Sequence, residues 1–473
     1  MDSPSQSQKS SQSQKGHTVH LSLLHRSPVL FPNDPARYTD MTSKYLSTRG
    51  VKAAESFPDD NLIWDVTSNL YDPNSNSDGY ISLGVAENAL MHDELRDFLN
   101  SKPVVTSTVS FTYGDGPYGS KRVAEAFAGL LNKWFRPIKR VGKEHVVVTN
   151  GVSSAIEHLA WALANPGEGI MLGRPYYRNF LPDISLRFGV EVVSVSFGEI
   201  DPIGIDAVKK YEEALKESEK KGVKVRALLL CHPHNPLGRC YSKETLVGLM
   251  TLCQKYRIHL ISDEIYALSV WENKVDAVGK GLEGFESVLS IDPTGIIDPG
   301  LVHVLWGTSK DFGANGLRLG ALVSQAAPEL LNACKICGLY SSPSSLAENA
   351  AVELFSDEKF MEDYVRTNQE RLSEAYRFAV ERVKEHGIEY MTGANAAFFL
   401  WLNLGKAWKE KHPEAAEDLA STEVLFGRLM AEKVYLVRGD AAGAEEAGWF
   451  RLVFSQPREI VDEGIKRIVR ALQ

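Results

Sequence analysis

His145-Val-Val-Val-Thr-Asn-Gly-Val-Ser-Ser154 decides the fold of this chain. A continuous apolar run, an Asn-Gly turn pair and two small polar residues that can open a helix follow one another within ten positions. An unbroken apolar run, unlike strict alternation, marks a strand covered on both faces. The same texture returns at residues 169–173, 190–195, 225–231, 258–262, 302–306 and 320–324. Helical stretches lie between these runs. One spans 153–164, with Ser153 or Ser154 as its cap; another spans 242–256, where Ser242 is followed by Glu244 in the first turn. Seven strands with interleaved helices predict a doubly wound α/β domain with a mixed or parallel seven-stranded sheet. Ligands of such sheets bind beyond the carboxyl ends of the strands.

Past about residue 340 the texture changes. A long charged amphipathic helix over 358–386 precedes strand-like stretches at 396–402 and 449–454, which predicts a smaller α+β domain. The resulting division is a disordered Ser/Gln-rich tail at 1–35, an N-terminal segment at 36–105 that joins the small domain, a large domain at 106–340 and a small domain at 341–473.

The bulk numbers exclude several classes. Among 473 residues, 44% are hydrophobic and 24% charged, as in an ordinary globular protein. A net charge of −9 argues against nucleic-acid or anionic-membrane binding. Five cysteines are too few for a disulfide framework, so reduced thiols in the cytoplasm are expected. Cys334-Lys-Ile-Cys337 has C-x-x-C spacing, but it sits in a helix-like run with no second pair. His232 and His234 flank Pro233 without a carboxylate or thiol at metal spacing, so they are read as loop residues and no metal site is expected. No apolar run approaches the roughly 18 residues of a membrane span, and the first residues lack the layout of a secretory signal.

The chemistry centres on Trp306-Gly-Thr-Ser-Lys-Asp-Phe-Gly-Ala-Asn-Gly-Leu-Arg318. Lys310 can bond an aldehyde through its amine, and Arg318 can grip phosphate oxygens with paired donors, although taken alone the segment reads equally as a solvated surface loop. Gly151, Val152 and Ser153 link a strand to a helix, which suits either a phosphate cradle or an ordinary turn. Tyr177 follows a strand and can stack on a flat cofactor or simply pack. Asn235, in His234-Asn-Pro-Leu-Gly238, can hydrogen-bond a phenolate oxygen, although any Asn-Pro turn looks alike locally. Asp263, in Ser262-Asp-Glu-Ile-Tyr266, ends a buried strand and needs a cationic partner there. A pyridinium nitrogen would supply it; a magnesium site or a helix cap is the competing reading. Tyr266 can share the phenolate with Asn235.

Taken in order, these motifs resemble those of the fold type I, class I/II aminotransferase superfamily, and within it the 1-aminocyclopropane-1-carboxylate (ACC) synthase branch, over roughly residues 40–473. The resemblance implies pyridoxal 5′-phosphate as cofactor. Lys310 would hold its aldehyde and move the proton, Asp263 would face its ring nitrogen, and Asn235 and Tyr266 its phenolate oxygen. Tyr177 would stack on the ring, and Gly151, Val152, Ser153 and Arg318 would hold the phosphate. Arg451, in Trp449-Phe-Arg-Leu-Val-Phe454, would clamp the substrate carboxylate, a two-pronged task that lysine does poorly. Leu83-Gly-Val-Ala-Glu-Asn-Ala-Leu90 resembles the branch's Gly-Leu-Ala-Glu-Asn signature and places Glu87 near the substrate. Tyr113, with Tyr118 as its rival, would reach the neighbouring subunit's phosphate, so the resemblance implies a homodimer.

Two positions depart from the family pattern. Gly307 stands where a phosphate-touching serine is common, with Thr308 as the adjacent hydroxyl, and Leu237 stands where threonine is usual. Arg451 would fix the substrate and Lys310 would remove its Cα proton, for which the lysine pKa must fall well below about 10.4. Three outcomes follow: an ACC-synthase-like elimination with a leaving group at Cγ or Cβ, transfer of the amino group to a 2-oxo acid, or a non-catalytic relative that keeps the fold. The Glu87 signature favours the first.

Overall fold

The computed structural model describes residues 45–105, 107–276, 282–414 and 420–473; the tail expected at 1–35 lies outside them. The chain divides into the units Met1–Lys52 and Ala53–Gln473, and the fold below is that of the second. A short strand β1 (Ile81–Ser82) precedes the main sheet. That sheet comprises β2 (Val146–Thr149), β3 (Gly169–Gly173), β4 (Glu191–Val195), β5 (Val225–Cys231), β6 (His259–Asp263), β7 (Val302–Gly307) and β8 (Gly320–Val323). Its order is β2-β8-β7-β6-β5-β3-β4. β8 runs antiparallel to both neighbours, and every other pairing is parallel.

The apolar runs are unbroken because successive side chains enter two different cores. Val147, Ile170, Leu172, Leu229, Ile261, Leu305 and Leu322 face one core, which the helix Val152–Leu163 closes. Val146, Val148, Met171, Leu228, Leu260, Val304 and Val323 face the other, closed by Lys121–Trp134 and Lys243–Tyr256. Helices on both faces of a mostly parallel sheet make this the expected α/β architecture. β4 is one of the two edge strands, with β2 the other, and the least buried. The Cys334/Cys337 stretch is helical within Pro328–Cys337, and burial pushes the Cys334 thiol up to about 12.

The smaller α+β region holds a four-stranded antiparallel sheet. It contains β9 (Glu389–Tyr390), β10 (Phe399–Asn403), β12 (Val437–Arg438) and β13 (Trp449–Val453), in the order β12-β13-β10-β9. β11 (Val434–Tyr435) pairs in parallel with β1, so an N-terminal strand is built into C-terminal structure. The long helix Glu358–Glu385 matches its sequence expectation.

Two local expectations are corrected. Neither Ser153 nor Ser154 caps its helix: Gly151 is the N-cap, with φ +82°, and no side chain caps the end. Ser154 Oγ instead donates to the Asn150 carbonyl at 3.1 Å. The strand expected from residue 396 starts at Phe399, because Ala397 has φ +53° and its N–H donates to Ser269 O, while Ala396 N–H donates to Gly238 O. His232 lies in the loop after β5, as read, and is buried there: its Nδ1 accepts from Tyr241 N at 3.3 Å, which leaves Nε2 to donate to Glu286 O at 3.0 Å.

Candidate active site

The strand ends gather the marked residues on one edge. Asp263 ends β6, Lys310 lies three residues past β7, Asn235 four past β5, Tyr177 four past β3, and Gly151 two past β2. β8 runs the other way, so Arg318, just before its first residue, reaches the same edge. Arg451 comes from the centre of β13, between its partners Trp401 on β10 and Val437 on β12.

Lys310 sits in the helical turn Thr308–Asp311, and its Nζ donates to Ala86 O at 2.7 Å. Burial, helped by the charge of Arg451, pulls its pKa down to about 8; Glu87 and Asp263 pull it back up, and Arg318 pushes it lower. Asp263 is only 4% exposed, and its Oδ1 accepts from Ile265 N at 3.3 Å. Burial raises its pKa to about 7, opposed by that hydrogen bond and by Lys310. Among the described residues it forms no ion pair. A buried carboxylate in that condition has a place for a cation.

Arg451 is as buried as Asp263 and also unpaired among the described residues. Its Nη1 donates to Asn235 Oδ1 at 2.9 Å and its Nη2 to Gly84 O at 2.7 Å, while Nε is buried without a partner. The guanidinium lies 4.5 Å from the Phe399 ring centre. Burial lowers its pKa, and the surrounding tyrosines oppose that shift. Such a group is suited to an incoming carboxylate, which would restore its missing charge partner. Asn235 spends its oxygen on Arg451, so its Nδ2 is the donating side. Tyr266 is packed edge-on against Phe398 and Phe399, and Tyr177 edge-on against Phe180.

The side that carries Gly151 and Arg318 is built by close approach. A Cβ on Gly151 would lie 2.4 Å from Arg318 Nη2, so glycine at 151 both adopts the positive φ and admits the guanidinium. Arg318 Nη1 donates to Asn315 O at 2.9 Å. The uncapped N-terminus of the twelve-residue helix at 152–163 adds backbone donors at the same place. The residues present therefore fit a phosphorylated pyridine aldehyde: a lysine, a buried acid, an arginine and an open helix end.

Glu87 Oε1 accepts from Asn315 Nδ2 at 2.8 Å. Gly307 is where the expected serine is missing, and the reason is steric: a Cβ there would lie 2.6 Å from Leu319 O and 3.0 Å from Gly320 Cα. Thr308 does not supply the lost hydroxyl, since its Oγ1 faces Ala314 O and Leu319 O, both at 3.4 Å. Tyr113 is 99% exposed, and Tyr118 lies under the Lys335 amine, 5.5 Å from its ring centre. Sequence reasoning missed Asp183, which bonds the Ser153 hydroxyl and is raised by burial to about 7, and it missed Asn315 and Phe399. No local motif marks any of the three.

The chain matches the family "Aminotransferase class I and II" over residues 82–468. It is 32% identical to the probable aminotransferase sirI of Leptosphaeria maculans, across 85% of this chain and 93% of that one. It is also 32% identical to 1-aminocyclopropane-1-carboxylate synthase-like protein 1 of Homo sapiens, across 93% and 85%. Among solved structures, a Thermus thermophilus aspartate aminotransferase double mutant superposes with a TM-score of 0.69 at 20% identity, covering 90% of this chain and 99% of that one. The chain therefore belongs to the class I and II aminotransferase family, and pyridoxal 5′-phosphate is its cofactor.

Proposed function

We propose that the protein removes the Cα proton of an α-amino acid and then expels a side-chain leaving group from Cγ or Cβ, such as a sulfur substituent, in the manner of the ACC-synthase-like branch. The observation that carries this reading is the grouping of Lys310, Arg451 and Glu87 on one side of the site, with Lys310 held near a pKa of 8.

Arg451 binds the substrate carboxylate through the donors that now serve Asn235 and Gly84. Lys310, much easier to deprotonate than an ordinary lysine, takes the Cα proton. Asp263 keeps a proton on the ring nitrogen, while Asn235 Nδ2 and Tyr266 donate to the phenolate oxygen. Gly151, Val152, Ser153 and Arg318 hold the phosphate, and Tyr177 covers the ring. When bound, the cofactor supplies an aldehyde for the amine and an electron-withdrawing ring that accepts the charge left at Cα.

Transfer of the amino group to a 2-oxo acid is the second reading, favoured by the likeness to a probable aminotransferase. A non-catalytic role is the remote one; relatives named as probable inactive ACC synthase-like protein 2 exist, but here the lysine, the acid and both arginines are all in place. The test is incubation of the holoenzyme with amino acids, S-adenosylmethionine and cysteine S-conjugates. Formation of ACC, or of a keto acid with ammonia, without any co-substrate supports elimination. Amino transfer to an added 2-oxo acid overturns it in favour of the second reading. Lys310→Ala should abolish the visible absorbance of lysine-bound cofactor.

The same reading includes a homodimer in which Tyr113, or Tyr118, reaches the neighbouring phosphate site, a large domain at 106–340, and a small domain at 341–473 joined by 36–105. The β1–β11 pairing supports that last join. A cytoplasmic location is part of the proposal; among the described residues no helix is long and apolar enough to cross a membrane.

A further inference from the structure

We propose that Asn315 is a positioning residue: its side-chain amide holds the Glu87 carboxylate beside Lys310 and so ties the substrate side of the site to the turn that carries Arg318. This rests on the functional reading above, in which Lys310 moves the substrate proton.

The two halves of Asn315 have separate tasks. Its side-chain Nδ2 donates to Glu87 Oε1 at 2.8 Å, across 228 positions of sequence. Its backbone oxygen accepts from Arg318 Nη1 at 2.9 Å. Truncation to alanine therefore removes the first contact and keeps the second.

The Glu87 backbone is already pinned. Its carbonyl accepts from Ser455 Oγ at 2.8 Å and Gln456 Nε2 at 3.2 Å, and the preceding carbonyl, Ala86 O, accepts from Lys310. What remains to be set is the direction of the carboxylate, and among the described residues Asn315 supplies the hydrogen bond that sets it.

An amide suits this task. It orients a carboxylate without cancelling its charge, whereas a lysine or arginine at 315 would neutralise it. That charge matters to Lys310, which also faces Arg451 from β13, Arg318 from the turn before β8 and Asp263 from β6. Of the two acids, Glu87 holds the Lys310 proton more strongly.

The test compares holoenzyme of wild type, Asn315→Ala, Glu87→Gln and the double variant, with Lys310→Ala alongside. In Asn315→Ala, cofactor affinity should stay within about twofold of wild type, because the Arg318 contact is a backbone one, while kcat for the best substrate falls about tenfold. The pH midpoint of the visible absorbance of lysine-bound cofactor should move down, in the same direction as for Glu87→Gln. The double variant should be no worse than Glu87→Gln, since in this proposal Asn315 acts only through the charge that Glu87→Gln removes. Asn315→Gln, which keeps the amide, should recover part of the midpoint shift. Additive losses, or an unmoved midpoint in Asn315→Ala where Glu87→Gln shifts it, would overturn the proposal alone. Visible absorbance that survives Lys310→Ala would overturn the functional reading and this proposal with it.

Discussion

At the scale of single residues, the site is a set of charges that the protein alone leaves poorly matched. Asp263 shows this best. Its pKa is raised from the ordinary carboxylate range to about 7, first by burial, so the folded state holds the proton more tightly than the unfolded chain does. The contribution of Asp263 to stability is then fully present below about pH 4 and is lost as pH rises through about 7. The amide of an Asp263→Asn variant does not titrate. In cofactor-free protein the variant should therefore gain on wild type between pH 4 and 7, by up to about 4 kcal/mol, the value of three pKa units. Chemical denaturation of both proteins across that range measures it. A constant difference would show that Asp263 is not the titrating group. With Asp263 facing the ring nitrogen as proposed, added pyridoxal phosphate should shrink the slope in wild type by bringing a positive partner, and it should not do so in the variant.

At the scale of elements, the strand-turn-helix units were legible because their causes are local. A run such as Val146-Val-Val148 has few other places to go, and the helix read over 242–256 forms, with Ser242 as its cap accepting from Thr245 N at 3.1 Å. What escaped the sequence were effects that need a distant partner. The helix after β2 is capped by Gly151 at φ +82°, with Arg318, 167 residues on, against its open side, and nothing near Ser153 signals that. The absent serine at 307 looked like a lost contact, yet the β7–β8 pairing, with Gly307 opposite Gly320, leaves no room for a side chain. Gly307→Ser should therefore fail to improve cofactor affinity and should destabilise the fold by about 1–3 kcal/mol, as forced overpacking does. A denaturation midpoint equal to that of wild type, with tighter cofactor binding, would show that the missing hydroxyl was a simple loss. Lys310, Asp263, Asn235 and Arg451 could be marked as candidates because each ends, follows or lies within a legible strand and has a distinctive residue type. Asn315 was not, since its partner Glu87 lies in another part of the chain.

At the scale of the whole molecule, one surface remains to be accounted for. Tyr113 is 99% exposed, Phe111 73% and Tyr340 85%. The segments that carry them are neighbours, because Asn349 Nδ2 donates to Ser110 Oγ at 2.9 Å and Gly338 lies against Pro117 O. Large apolar side chains clustered in the open mark an interaction surface. The homodimer proposed above has one copy's Tyr113 reach the other copy's site. Complementation separates that arrangement from a tyrosine acting within its own chain. Lys310→Ala and Tyr113→Ala chains, each impaired alone, are unfolded together in equal amounts and refolded. If the tyrosine acts across subunits, each mixed dimer holds one site with both residues intact, and about a quarter of the wild-type activity returns, since half of the dimers are mixed. If it acts within its own chain, no intact site can form and nothing returns. The same mixing with Tyr118→Ala decides between the two tyrosines, because the one that crosses the interface is the one whose loss a Lys310→Ala partner can repair.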